Sequence, residues 1–235
     1  MKKIVVFTGA GISAESGLGT FRDSGGLWDN YKIEDVATPD AFKKNPELVL
    51  EFYNIRRRQL LSSSPNSAHY ALNKLQQNFN LQIITQNIDN LHQVSGVSSD
   101  KVIELHGNNT YAKCLSCNKR YEIEDIKKEF FQTKHAPECS LCGGIIKTAT
   151  ISFGQAMPEK EMIEAQKATL ECDLFIAIGS SLQVYPAAGF PLLAKRNGSN
   201  LIILNREPTD LDGYADLTLN YEIGNFFDEV FSIIN

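Results

Sequence analysis

Two Cys-x-x-Cys pairs, Cys114 with Cys117 and Cys139 with Cys142, stand 21 residues apart in the chain. Such knuckles present four thiolates to a tetrahedral zinc ion, and four sulfur ligands leave no open position for water, so the metal expected here is structural. The cations beside the pairs are Lys113, Lys119 and Arg120, too few for a surface that tracks phosphates, and nucleic acid is not expected as a direct partner. The fifth cysteine, Cys172, adjoins an apolar run and reads as a small buried hydrophobe.

A second group of residues points to phosphate and carboxamide chemistry. Gly9-Ala10-Gly11-Ile12-Ser13-Ala14 follows an apolar run and fits the G-x-G-x-x-G/A turn, whose glycines let the backbone approach a pyrophosphate at a helix N-terminus. Arg22, in the stretch Ser16 to Asp23, is a candidate phosphate ligand. A hydride-transferring dehydrogenase would add a second strand ending on an acidic residue about 20 positions later. The chain after Gly19 is instead polar and glycine-rich, so ribose recognition is expected from the late segment Asn205-Arg206-Glu207-Pro208. Gln86-Asn87-Ile88-Asp89-Asn90-Leu91-His92 concentrates amides and a carboxylate after another apolar run, a set suited to a carboxamide ligand. In Glu104-Leu105-His106-Gly107-Asn108 a histidine stands where a short apolar run ends. His106 is the first candidate for a general base near neutral pH and His92 the second. Tyr53 and Arg56 lie three residues apart on an expected helix and so share a face. Spacing leaves two readings open. The pair grips one ligand carboxylate, through a directional hydroxyl and a planar guanidinium fork, or Arg56, Arg57 and Arg58 form a solvated face with Tyr53 as a core anchor.

The elements that must hold these residues are legible in the apolar pattern. Lys3 to Thr8, Leu81 to Thr85, Leu174 to Ile178 and Leu201 to Asn205 are short runs rich in Ile, Val and Leu, each ending in polar or glycine residues. Near-continuous apolar strands suit a parallel sheet covered on both faces, and helical patterns over Ser67 to Phe79 and Glu159 to Leu170 lie between them. The expected class is α/β, doubly wound, with ligands outside the carboxyl ends of the strands. Thr38 to Ser64, helical with Phe42, Val49, Phe52 and Leu60 as anchors, and Cys114 to Cys142 break the rhythm and read as insertions forming a smaller lobe. At 235 residues, 43% hydrophobic and net charge −5, the chain is large enough for a real core and not basic enough to favour nucleic acid. Its longest apolar runs fall far short of a membrane span. With no export signal recognised and cysteines spaced for metal, a reducing cytoplasm is the expected compartment.

Taken together and in order, Gly9 to Ser13, Thr20-Phe21-Arg22, Gln86 to Asp89, His106-Gly107, the four cysteines, Gly179-Ser180-Ser181-Leu182 and Asn205 to Pro208 resemble the sirtuins, NAD-dependent protein lysine deacylases, over nearly the whole chain. The resemblance implies a Rossmann-like NAD-binding domain over residues 1–37, 65–112 and 148–235. A helical insertion at 38–64 and a zinc-ribbon insertion at 113–147 would form the small domain. It implies NAD as co-substrate, one structural Zn2+, and acyl-lysine proteins or peptides as substrates entering the cleft opposite the cofactor. In that chemistry the acyl oxygen attacks the nicotinamide ribose, nicotinamide leaves, and His106 as general base activates a ribose hydroxyl; the products are free lysine, nicotinamide and acyl-ADP-ribose. Cofactor contacts carried over are Gly9, Ala10, Gly11, Ile12, Ala14, Glu15, Thr20, Phe21 and Arg22 along the phosphates and nicotinamide side, with Gln86, Asn87, Ile88 and Asp89 at the ribose and carboxamide. Gly179, Ser180, Ser181, Asn205, Arg206, Glu207 and Ile223 fall to the adenosine half, and Ile151, Ser152, Phe153 and Gly154 to the substrate backbone.

Within the family, Tyr53-x-x-Arg56 is similar to the subgroup that removes succinyl and malonyl groups, and Ala14 to the small residue of its roomier pocket. The resemblance therefore favours acyl recognition by the pair; the alternatives are a plain deacetylase with Tyr53 and Arg56 structural, a protein ADP-ribosyltransferase, or a non-catalytic NAD-binding module. Two positions depart from the family pattern, Gly19 where proline is usual and Gln155 where glutamate is usual. The first is expected to loosen the cofactor loop and the second to change charge near the substrate lysine.

Overall fold

The computed structural model describes residues 2–21, 27–126 and 137–234. Six strands form one parallel sheet in the order β3-β2-β1-β7-β8-β9: β1 (Lys3–Thr8), β2 (Asn80–Thr85), β3 (Val102–Glu104), β7 (Leu174–Ile178), β8 (Asn200–Leu204) and β9 (Leu217–Leu219). The apolar runs give the strands their burial on both faces, as a parallel sheet requires. One face carries Val5, Phe7, Phe175 and Leu201, packed under Ala165 of α7 (Glu159–Glu171) and Phe190 and Ala194 of α8 (Phe190–Arg196). The other carries Ile4, Val6, Leu81 and Ile83, under Ala68 and Leu72 of α5 (Ser67–Asn78) and Ile223 and Phe227 of α9 (Ile223–Ile234). The sheet is therefore doubly wound, and the strand order reverses between β1 and β7, the place where such folds open a crevice.

Two regions lie outside this sheet. Short helices α1 (Leu27–Asn30), α2 (Ile33–Val36) and α3 (Pro39–Lys44) lead into the long α4 (Pro46–Ser62). Thr38 caps α3 and Asn45 caps α4, each followed by proline at the first helical position, which sets two sharp helix starts in succession. A three-stranded antiparallel sheet, β5-β4-β6, is built from β4 (Gly107–Cys114), β5 (Arg120–Glu122) and β6 (Ile146–Thr150). Its buried residues include Ala112, Ile123 and Ile146 together with Cys114 and Cys139. Among the described residues no helix is long and apolar enough to cross a membrane.

Candidate active site

Backbone hydrogen bonds carry the sheet beyond its strand ends and bring the loops together. Gln86 N donates to Thr8 O at 2.9 Å, Gly9 N to Ile178 O at 3.1 Å, Gly11 N to Gly179 O at 2.8 Å and Gly179 N to Leu204 O at 2.9 Å. The segments that follow β2, β1, β7 and β8 thus meet at one end of the sheet. Their approach needs glycine. A Cβ on Gly11 would stand 2.8 Å from Gly179 Cα, and Gly179 itself adopts φ +64°.

A cleft of about 920 Å³ opens there, between the sheet and the α1–α4 and β4–β6 regions. Its walls contain Gly9, Ala10, Gly11, Ala14, Thr20 and Phe21 from the first turn, and Gln86, Asn87, Ile88 and Asp89 beyond β2. Gly179, Ser180 and Ser181, then Asn205, Arg206, Glu207 and Ile223, line another stretch of it. His106, Tyr53, Arg56 and the segment Ile151, Ser152, Phe153 and Gly154 complete the set. Two expected cofactor residues are not in the lining. Ile12 is turned into the core against the α5 and α9 face by the short 3-10 helix Ala10–Ser16, and the Glu15 carboxylate is bonded to the start of α9. Arg22 lies outside the described residues.

Polar contacts hold the cleft's functional groups in fixed orientations. His106 Nδ1 lies 3.0 Å from Gln86 O; a carbonyl only accepts, so the proton is on Nδ1 and Nε2 keeps its lone pair. Burial pushes the His106 pKa down, partly opposed by the hydrogen bond to that carbonyl. Asn87 Nδ2 donates to Gly9 O at 3.0 Å and to Ser13 Oγ at 3.2 Å, while Ser13 Oγ donates to Asp89 Oδ2 at 2.7 Å. Leu91 N donates to Asp89 Oδ1 at 2.9 Å. Burial raises the Asp89 pKa, and the bonds from Leu91 and Ser13 and the charge of Arg56 oppose it. Ser13 belongs to the glycine turn read from the sequence, but its bond to Asp89, 76 positions away, is visible only in the fold.

Arg56 is 7% exposed, with its guanidinium 5.2 Å from the centre of the Phe21 ring. Among the described residues its hydrogen bond is to Gln59 Oε1, at 3.4 Å, and it forms no salt bridge. Burial pushes its pKa down, with Asp89 opposing. Tyr53, one helical turn earlier, also lines the cleft; burial raises its pKa, against hydrogen bonds with the Thr150 and Ser152 side chains. Arg57 is buried on Glu124 at 2.5 Å and Arg58 is exposed, so the three arginines do not form one solvated face. An aromatic series, Phe21 to Trp28 at 5.3 Å and Trp28 to Phe153 at 6.0 Å, joins the first turn to the segment after β6. That segment is pinned by Ile151 N on His106 O and Phe153 N on Ala37 O, both at 2.9 Å. Gln155 Oε1 accepts from Ser152 N at 3.2 Å, so the amide closes this turn without a charge.

Two further histidines, His69 and His92, are packed into the fold, and His135 lies outside the described residues. His92 is buried with Nε2 3.0 Å from Thr8 Oγ1, and desolvation holds its pKa down to about 3; His69, beside it at 5.1 Å between rings, is held to about 4. Cys172 is buried, its thiol donating to Thr169 O at 3.2 Å. The four remaining sulfurs gather within 4.8 Å of one another, with Cys114 and Cys142 3.5 Å apart and Cys117 and Cys139 3.6 Å apart. A tetrahedron with Zn–S bonds of about 2.3 Å has edges of about 3.8 Å, so the cluster fits a structural zinc site. The Tyr121 hydroxyl donates to Cys139 Sγ at 3.0 Å and pulls that thiol's pKa down to about 6.

Comparison with known proteins agrees with this geometry. The Sir2 family model matches residues 9–186. An NAD-dependent protein deacetylase of Rhodopseudomonas palustris is 48% identical over 230 residues, covering 94% of this chain and 88% of the relative. An NAD-dependent protein deacylase of Aquifex aeolicus is 44% identical over 216 residues, 91% of this chain and 87% of the relative. A solved Sir2 complex with a p53 peptide and NAD+ superposes with a TM-score of 0.86 at 36% identity, over 98% of this chain and 92% of that one.

Proposed function

This chain belongs to the Sir2 family, and on that premise we propose that it is an NAD-dependent protein-lysine deacylase that accepts succinyl-lysine, and malonyl-lysine, as well as acetyl-lysine. NAD, when bound, supplies an electrophilic ribose carbon with nicotinamide as leaving group, and the acyl group passes to the ADP-ribose product. The protein's part is to bind, orient and move one proton. The Gly9 to Ala14 turn lines the cleft, and its glycines let the phosphates approach the backbone closely. Asn87 and Asp89 present an amide and a carboxylate of fixed orientation for the ribose and the carboxamide. His106 Nε2 takes the proton of a ribose hydroxyl, and the Nδ1 bond to Gln86 O holds the ring and stabilises the imidazolium. The Ile151 to Gly154 segment offers main-chain groups to an extended substrate, in the manner of an added strand.

The observation that carries the acyl preference is Arg56: a buried cation in the cleft whose hydrogen bond, among the described residues, goes to a neutral amide. A desolvated guanidinium is stabilised by an anion, and a succinyl carboxylate beside Tyr53 supplies one. The reading includes a large NAD domain at residues 1–37, 65–112 and 148–235, a small domain at 38–64 and 113–147, and a reducing cytoplasm, supported by cysteines that are all free of disulfides.

Nicotinamide release with matched acetyl-lysine and succinyl-lysine peptides, with peptide mass followed in the same tube, tests the proposal. Arg56→Met is expected to cut desuccinylation by at least a hundredfold, about 3 kcal/mol of charge-assisted bonding, and deacetylation by less than threefold. Equal losses on both peptides would make Arg56 structural. His106→Tyr is expected to abolish acyl removal with the fold retained. A peptide that gains ADP-ribose instead of losing its acyl group would replace the reading with ADP-ribosyl transfer, and NAD binding without nicotinamide release would leave only a binding module.

A further inference from the structure

Glu15 stands apart from the residues around it because its carboxylate leaves the cleft and crosses to the other end of the chain. Its Oε1 accepts a hydrogen bond from Gly224 N at 2.7 Å, across 209 residues. Gly224 is the second residue of α9, and both it and Ile223 are buried. The first turn of α9 has no acidic side chain of its own. A carboxylate from elsewhere therefore satisfies a buried N–H at that helix start and faces the positive end of its dipole. The contact is close enough to dictate the partner: a Cβ built on Gly224 would fall on the Glu15 carboxylate group.

The same helix start forms part of the cleft. Glu222 and Ile223 line it beside Asn205, Arg206 and Glu207, and Arg206 Nη1 reaches Glu222 Oε1 at 3.6 Å. The turn from Gly9 to Ser16 and the wall at Ile223 are distant in sequence and share no strand; Glu15 joins them directly. We propose that Glu15 is a positioning residue for the adenosine half of the dinucleotide, acting through Gly224 to fix the Ile223 wall against the phosphate turn, and not a cofactor ligand. The rest of α9 is anchored separately, through Phe227 in the core and the Ser67–Asp228 hydrogen bond, so losing the Glu15 contact leaves the helix docked.

This inference rests on the reading of the cleft as an NAD site, and its test separates the two. ADP-ribose binding is measured by calorimetry, and steady-state kinetics give KM for NAD, KM for peptide and kcat. Glu15→Ala, which leaves a buried N–H without an acceptor, is expected to weaken ADP-ribose binding and raise KM for NAD about fivefold to tenfold, with kcat and peptide KM within twofold. Glu15→Gln keeps the acceptor and is expected to recover most of that loss. Gly224→Ala forces the carboxylate aside and should match Glu15→Ala, and the double variant should fall well short of the product of the two single effects, since the clash has lost its partner. Wild type that binds no ADP-ribose would remove the NAD reading. Wild type that binds it while Glu15→Ala binds equally well, or Glu15→Ala losses spread evenly over kcat and both KM values, would overturn the positioning role alone.

Discussion

The parallel sheet and the β4–β6 lobe hold their shapes by different means. The sheet packs apolar side chains on both faces, with Phe7, Phe175, Leu81, Ile83 and Leu201 fully buried between helices. The lobe has among its described residues one small cluster, in which two of six buried members are cysteines. Apolar burial of the first kind is distributed, so no single contact decides it. In the second, four sulfurs around one ion replace the core that so few residues cannot form. The difference matters for function because the cleft draws on both. Gly9, Gln86 and Gly179 come from the sheet, whereas His106 and Ile151 to Gly154 flank β4 and β6.

The largest effect should therefore come from the metal. Stripping zinc with a chelator removes an apparent binding free energy that in small zinc domains is about 10–16 kcal/mol, and Cys139→Ser removes one of the four thiolates that supply it. The β4–β6 sheet should lose order and deacylation should fall below detection, while the parallel sheet keeps most of the far-ultraviolet circular dichroism. Zinc content, ellipticity and turnover measured on one sample would decide it. A zinc-free protein that still turns over would show that the lobe needs no metal.

A cut in the sheet core should act on the whole chain and by less. Phe175→Ala empties a site where the ring packs 6.2 Å from Phe7, at an expected cost of about 3–5 kcal/mol. Urea unfolding should show a single shifted transition with zinc released only within it. Early zinc release, ahead of the shifted transition, would mean that the two regions unfold independently.

Much of this division could be read from the chain because the two regions advertise themselves differently. β1 and β7 match their apolar runs at both ends. β2 and β8 each start one residue earlier than the apolar pattern, at Asn80 and Asn200, because the backbone ladder pairs Lys3 with Asn80 and Leu174 with Asn200 whatever their side chains. β4 was less legible: it opens on Gly107-Asn108-Asn109-Thr110 and has an irregular register against β6, so no alternation marks it. In the cleft, residues carrying recognisable chemistry at short spacing were found. The Ser13–Asp89 bond, Trp28 and the Glu15–Gly224 contact were not, since each depends on a partner that only the fold brings near.

Acid should separate the regions again. His69 and His92, buried against the sheet, have folded pKa values of about 4 and about 3, below the unfolded value near 6.5. Between pH 6.5 and 4 the unfolded chain binds protons that the folded chain refuses, so stability is present above pH 6.5 and falls as pH drops, by up to about 1.4 kcal/mol per pH unit for each histidine. Urea midpoints at pH 7.5 and 5.5 would measure it, and His92→Gln should flatten the difference. An equally steep loss in that variant would assign the acid response to other groups.

The smallest expected effect sharpens the comparison from the metal side. Tyr121 reaches Cys139 Sγ with its hydroxyl at 3.0 Å and accepts from Ser140 N at 3.2 Å, so one phenol serves both a zinc thiolate and the knuckle backbone. Lys119 lies over the same ring at 5.1 Å and donates to Ser140 Oγ at 3.0 Å, closing a small network outside the ligand shell. Groups of this kind change metal affinity by about 10-fold to 100-fold without being ligands themselves. Tyr121→Phe keeps the ring and deletes the donor, so zinc release to a chromogenic chelator should quicken about tenfold. Turnover of the zinc-loaded enzyme should stay near wild type, because the sheet core and the cleft are untouched. A release rate within twofold of wild type would confine the control of the metal to the four sulfurs.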